Sequence, residues 1–133
     1  MRTHIALSVS DLEASRAFYR RLLGVDAHRA QPGYVQFLNA DLNLALSAHG
    51  GARAAQGHFG LEVDSAAAVE ERLDRVRAAG LEATVERDVT CCYARQTKFW
   101  LSDPDGNRWE TFYVAERQML AVGSQDETCC QPA

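Results

Sequence analysis

No stretch of this 133-residue chain approaches the roughly 20 consecutive apolar residues that a membrane-crossing helix needs. Its first residues, Met1-Arg2-Thr3-His4, enter an alternating segment at once, with no apolar run of signal-peptide length. A cytoplasmic protein with no membrane partner is expected. Basic residues are not in excess. Lys and Arg number 14 against 18 Asp and Glu, a formal net charge of -4 at pH 7, so no positive field is offered to a phosphate backbone. Nucleic acid is therefore not an expected partner. No glycine-rich loop runs from a strand into a helix in phosphate-cradling form, so nothing indicates a nucleotide cofactor. Ordinary disulfides are also disfavoured. The four cysteines come as two adjacent pairs, Cys91-Cys92 and Cys129-Cys130, whose side chains start close together on one stretch of backbone. In a reducing cytosol they are thiols.

What the chain does contain is a pattern that occurs twice. Thr3 to Val9 alternates, with Ile5, Leu7 and Val9 on one strand face and His4, Ala6 and Ser8 on the other. Ser10 followed by Glu13 fits a capping box, and Leu12, Ser15, Tyr19, Leu22 and Leu23 trace the inner stripe of a helix that Gly24 is placed to end. Val25–Arg29, Tyr34–Asn39 and Leu42–Ala48 read as three short strands. A glycine-rich stretch, His49 to Gly57, separates this module from its echo.

The echo begins with His58, Phe59, Gly60, Leu61, Glu62 and Val63, placing His58 where His4 stands in the first module. Asp64 or Ser65 caps a second helix with Ala66, Val69, Leu73 and Val76 inward, and strand candidates follow over Leu81–Val89, Gln96–Leu101 and Asn107–Val114. The expected organisation is a single domain over residues 1–115, made of modules at about 1–49 and 57–115, with 116–133 as a flexible tail. In class it is α+β, built from two βαβββ modules.

Three residues far apart in sequence form the candidate metal set: His4, His58 and Glu110. Two imidazoles and a carboxylate suit iron, manganese, nickel or zinc, and on a six-coordinate iron they leave three positions for dioxygen and substrate. Glu110 interrupts the apolar strand Trp109-Glu110-Thr111-Phe112-Tyr113-Val114, and a carboxylate there needs a cation or hydrogen-bond partners. A structural salt bridge to Arg108 or Lys98 is the plain alternative. Glu62 is a rival ligand on the face of His58. Leu44 and Leu46 stand where a second carboxylate would enter from the first module, so open coordination is part of the expectation.

Cys91 and Cys92 add a soft grip, since paired thiolates favour trivalent arsenic, antimony, mercury, copper or zinc. On a regular strand adjacent residues point to opposite faces, so both sulfurs reach one ligand only where the backbone bends. The alternatives are one packed and one exposed cysteine, or a vicinal disulfide. Tyr93 is placed to position a bound ligand, and Cys129 and Cys130 are candidate accessory thiols. Tyr34, Phe37, Phe99, Trp100, Trp109, Phe112 and Tyr113 are core candidates first and cavity walls second.

The segments Thr3–Val9, Phe18–Gly24, His58–Val63 and Phe99–Glu110 resemble the vicinal oxygen chelate superfamily, over nearly the whole chain through Val114. Within it, Thr90-Cys91-Cys92-Tyr93 resembles the cysteine pair of ArsI-type carbon–arsenic lyases, which are also close to proteins named cadmium-induced. The resemblance implies a vicinal oxygen chelate barrel formed by the two modules. It further implies Fe(II) on His4, His58 and Glu110, dioxygen as co-substrate, and capture of a trivalent organoarsenical by Cys91 and Cys92. Cleavage of the carbon–arsenic bond of a substrate such as methylarsenite, with release of arsenite, is the implied activity. Sequestration of arsenicals or soft metals and extradiol-type dioxygenation are the alternatives. A homodimer is the expected assembly.

Overall fold

A computed structural model describes residues 1–49, 51, 54, 57–91 and 94–117 of the protein. Its elements run β1 (Thr3–Ser8), α1 (Leu12–Leu23), β2 (Arg29–Gln31), β3 (Tyr34–Leu38), β4 (Leu42–Ser47), β5 (Phe59–Glu62), α2 (Ala66–Ala78), β6 (Thr84–Cys91), β7 (Ala94–Ser102) and β8 (Arg108–Arg117). The strand, helix, three-strand order thus occurs twice. Each set of four strands forms its own mixed sheet, in the orders β1-β4-β3-β2 and β5-β8-β7-β6.

The expected vicinal oxygen chelate barrel is corrected by this topology. A closed barrel leaves no strand edge unpaired. Here β1 and β2 remain the edges of one sheet and β5 and β6 those of the other. Alternating hydrophobicity reports which side chains leave water; it does not specify which strand edges meet. Among the described residues the fold is α+β with two open four-stranded sheets and two helices.

The chain divides into two compact units, Met1–Gly57 with Ser102–Asn107, and His58–Leu101 with Arg108–Ala133. In the first, β1 pairs in parallel with β4 from Thr3↔Leu42 to Ser8↔Ser47, which places Ile5, Leu7, Leu44, Leu46, Val35 and Phe37 on one face. Helix α1 packs against β3 and β4 and buries Ser15, Phe18, Tyr19, Leu22 and Leu23. Its N-cap is Asp11, whose carboxylate accepts from Ala14 N–H at 3.0 Å, rather than Ser10. Ser10 is diverted because its hydroxyl and N–H both donate to Asp105. Gly24 closes the helix at φ 69°, in the left-handed region that glycine enters without strain.

Strand β2 falls later than the expected Val25–Arg29. Gln31 pairs with Tyr34 across Pro32-Gly33, and Gly33 has φ +76°. Proline followed by a positive-φ glycine makes a tight turn, and that turn sets the register of Arg29–Gln31 on β3.

The Ser102–Asn107 turn is gathered onto the first unit by a buried carboxylate. Asp103 is 4% exposed and accepts from Tyr19 Oη at 2.5 Å, Asn107 N–H at 2.7 Å and Asn107 Nδ2 at 2.8 Å. In the second unit α2 starts at Ser65, which accepts from Ala68 N–H at 3.0 Å, and packs Val69, Leu73 and Val76 toward β8. Arg87 hydrogen-bonds Glu70 across the outer surface and holds that carboxyl below the usual carboxylate range. Among the described residues no helix is long and apolar enough to cross a membrane.

Two substitutions separate a satisfied buried group from an unsatisfied one. Tyr19→Phe removes a hydrogen bond to a buried carboxylate and is expected to cost about 1.5–3 kcal/mol in urea denaturation. Ser15 Oγ is fully buried without a hydrogen-bond partner, so Ser15→Ala is expected to cost nothing and to stabilise by up to about 1 kcal/mol. A clear loss of stability in Ser15→Ala would refute that account.

Candidate functional site

The second sheet has two chemically distinct faces. Val85, Phe99, Leu101, Trp109 and Thr111 alternate onto one face, whereas Glu86, Lys98, Trp100 and Glu110 alternate onto the other. Glu86 pairs with Lys98 across β6 and β7, and β8 lies beside β7, bringing Glu110 to the same place.

Glu110 is 7% exposed, and its two carboxylate oxygens have different partners. Oε2 accepts from Lys98 Nζ at 3.2 Å. Oε1 lies 3.4 Å from His58 Nε2, a ring a third exposed just ahead of β5. Lys98 is the only lysine in the chain and is fully buried, with Nζ also 5.4 Å from the centroid of Trp100. The His58 ring meets Trp100 edge-on at 5.0 Å, and Trp100 Nε1 donates to Glu86 at 3.4 Å. Arg108 takes no part in holding Glu110; its guanidinium lies 5.7 Å from the Trp100 ring. The plain alternative of a salt bridge is therefore present, with Lys98 as its cation.

Gly60 makes room for this arrangement. A Cβ there would stand 3.2 Å from Glu110 Cγ, 3.3 Å from Glu110 Oε1 and 3.0 Å from Phe112 Cε1. Sequence reading assigned no role to Gly60. Its signal was the lone glycine inside an alternating strand, which marks close approach of another group.

His4 lies exposed on β1, where Nδ1 is 3.1 Å from the Asn43 carbonyl oxygen. A carbonyl only accepts, so Nδ1 is the donor of that bond, and Nε2 is the nitrogen it leaves for another partner. Glu62 ends β5 and is exposed. His49 has a packing role: its ring covers Gly33 so closely that a Cβ there would lie 2.6 Å from Nε2.

Of the candidate metal set, the structure brings His58 and Glu110 together. Among the described residues, no three His, Cys, Asp or Glu side chains are grouped to hold a metal ion. Two donors each about 2.1 Å from one metal and on adjacent positions stand roughly 3–3.4 Å apart. The 3.4 Å separation of His58 Nε2 and Glu110 Oε1 fits that geometry.

Cys91 is the last residue of β6 and pairs with Ala94, the first of β7. The strands reach further than expected, leaving only positions 92 and 93 between them. A register shift lies between Glu86 and Val89, where β6 holds one residue more than β7. This bulge moves Cys91 into the register row that continues through Ala94 and Gln96 to Lys98 and Trp100. Cys92, Tyr93, Cys129 and Cys130 lie outside the described residues.

With this geometry in hand, the relationships of the chain are plain. Residues 2–111 match the Glyoxalase/Bleomycin resistance protein/Dioxygenase superfamily, and the chain belongs to it. A crystal structure of a glyoxalase/bleomycin resistance protein/dioxygenase from Alicyclobacillus acidocaldarius has the same fold, with TM-score 0.71 at 19% identity over 87% of this chain and 92% of that one. Within the superfamily the chain is closely related to the trivalent organoarsenical cleaving enzymes. That of Thermomonospora curvata is 37% identical over 134 residues, covering 98% of this chain and 89% of the relative. The cadmium-induced protein CadI of Mycobacterium tuberculosis (strain ATCC 25618 / H37Rv) is 40% identical over 115 residues, covering 85% of this chain and 76% of the relative.

Gly60→Ala is expected to fold but to push the Glu110 carboxylate away from His58, weakening Co(II) binding about tenfold in a metal titration. Wild-type affinity in that variant would show that the space beside Gly60 does not govern the carboxylate.

Proposed function

We propose that the protein cleaves the carbon–arsenic bond of trivalent organoarsenicals such as methylarsenite, using Fe(II) and dioxygen and releasing arsenite. The observation that carries this reading is the near full-length relation to trivalent organoarsenical cleaving enzymes, and the facing of His58 and Glu110 at ligand spacing supports it. His58 Nε2, Glu110 Oε1 and His4 Nε2 are the metal ligands, with the remaining positions open. Iron(II), when bound, supplies the redox chemistry that lets dioxygen oxidise the carbon attached to arsenic.

The protein's own residues do the rest. A methylated trivalent arsenical has one arsenic–carbon bond and two valences that thiolates can take, so Cys91 and Cys92 hold arsenic and orient its carbon. Arsenic remains trivalent while the carbon leaves oxidised. The backbone register of Cys91, which pairs with Ala94 at the end of the strands that carry Glu86 and Lys98, supports this role. Tyr93, next to the pair, positions the bound arsenical. Free thiols are needed throughout, which suits a reducing cytosol.

Sequestration without cleavage is the second reading, favoured by the relation to a cadmium-induced protein. Anaerobic loading with Fe(II), then methylarsenite and air, separates the two by arsenic speciation and oxygen uptake. Cleavage yields arsenite with oxygen consumed; stoichiometric binding without arsenite selects sequestration.

Glu110→Ala is expected to lower turnover by about 100-fold or more while arsenical binding persists, because a metal ligand is lost and the thiols are not. Cys91→Ser or Cys92→Ser is expected to weaken arsenical binding about 100-fold with Fe(II) binding kept, since one of two tethered bonds is lost. Unaltered arsenical affinity in both serine variants would remove the thiols from the site.

A further inference from the structure

The single lysine of the chain is spent in its interior, with no part of its side chain exposed. Lys and Glu are rarely buried unless paired, and in this pair the ammonium engages only one oxygen of the carboxylate. Lys98 Nζ holds Oε2 at 3.2 Å, and Oε1 is the oxygen that faces His58 Nε2. The ammonium is itself held in place, 5.4 Å from the Trp100 ring centroid on the same strand. Gly60 leaves the near side of Oε1 open, since a side chain there would crowd that oxygen at 3.3 Å.

We propose that Lys98 is the positioning residue for Glu110. By occupying Oε2 it makes the carboxylate meet a divalent metal through Oε1 alone, and the coordination position that a second carboxylate oxygen would fill stays open. The inference rests on the reading of Glu110 as a metal ligand. It has two separable physical consequences. Before metal arrives, the ammonium offsets the buried negative charge and keeps the carboxylate facing His58. Once metal is bound, the ammonium is a nearby like charge, so the site trades affinity for an open position.

The test uses Co(II) titration of the full chain under anaerobic conditions, read by visible absorption, together with thermal melting of the metal-free protein. Lys98→Met removes both the charge and the donor. It is expected to melt lower without metal, to bind Co(II) about tenfold more tightly, and to change the Co(II) spectrum as Oε2 becomes a ligand. Lys98→Gln removes the charge but retains a donor, so it is expected to bind more tightly with the wild-type spectrum. The double variant Lys98→Met with Glu110→Gln is expected to recover metal-free stability, which identifies charge compensation even if Lys98→Met alone does not fold. Equal or weaker Co(II) affinity in both single variants, or the same spectral change in both, overturns the proposal. Wild-type Co(II) affinity in Glu110→Ala overturns the ligand reading beneath it, so the two failures are distinguishable.

Discussion

A nearly buried carboxylate at position 110 is the constraint from which the second unit is organised. Burying a lone carboxylate is costly unless charge and hydrogen bonds answer it. The cation comes from β7 as Lys98, the facing imaidazole from the entry to β5 as His58, and the space from the absent side chain of Gly60 on β5. β8, which carries Glu110, lies between β5 and β7 in the sheet, so neighbours on both sides reach the carboxylate. The opposite face carries Val85, Phe99, Leu101 and Trp109, so one sheet separates an apolar surface from one that buries charge.

The first unit is organised by a second buried carboxylate with a different task. Asp103 has no mobile partner to await: Tyr19 and Asn107 already satisfy it. It ties the turn between β7 and β8 to α1, while Asp105 binds Ser10 at the start of that helix. The contrast between the two acids is informative. Asp103 is satisfied by neutral donors from its own turn and from α1, whereas Glu110 faces an imidazole with one oxygen and a buried ammonium with the other.

The β6 bulge links these strands to the thiol pair. Regular pairing beyond Glu86 would have set Cys91 in the row of Phe99. One extra residue shifts it into the row of Lys98 and Trp100, a local irregularity with consequences for every position up to the end of the strand. Alternation in the sequence carried no trace of it. Arg87 and Asp88 look equally at home in a straight exposed strand.

Much of the rest was legible because it depends on neighbours in sequence. The repeated strand, helix and three strands, the inner stripe of α1, the Ser65 cap and the Gly24 stop all follow from local periodicity and backbone chemistry. The pairing of His58 with a carboxylate from the last strand was also within reach, since a charged residue amid aromatics demands a partner. Features that depend on distant contacts were not. Asp105 claimed Ser10 and moved the α1 cap to Asp11, the Pro32-Gly33 turn moved β2, and the strand edges that a barrel would join stayed separate. The sequence by itself determined the order of the elements and the inner stripes of the helices, because propensity and periodicity act over a few residues. Only the tertiary structure decided that Lys98 takes one oxygen of Glu110, that Gly60 clears room for the other, and that two sheets stay open, because those outcomes are settled by atoms meeting across strands.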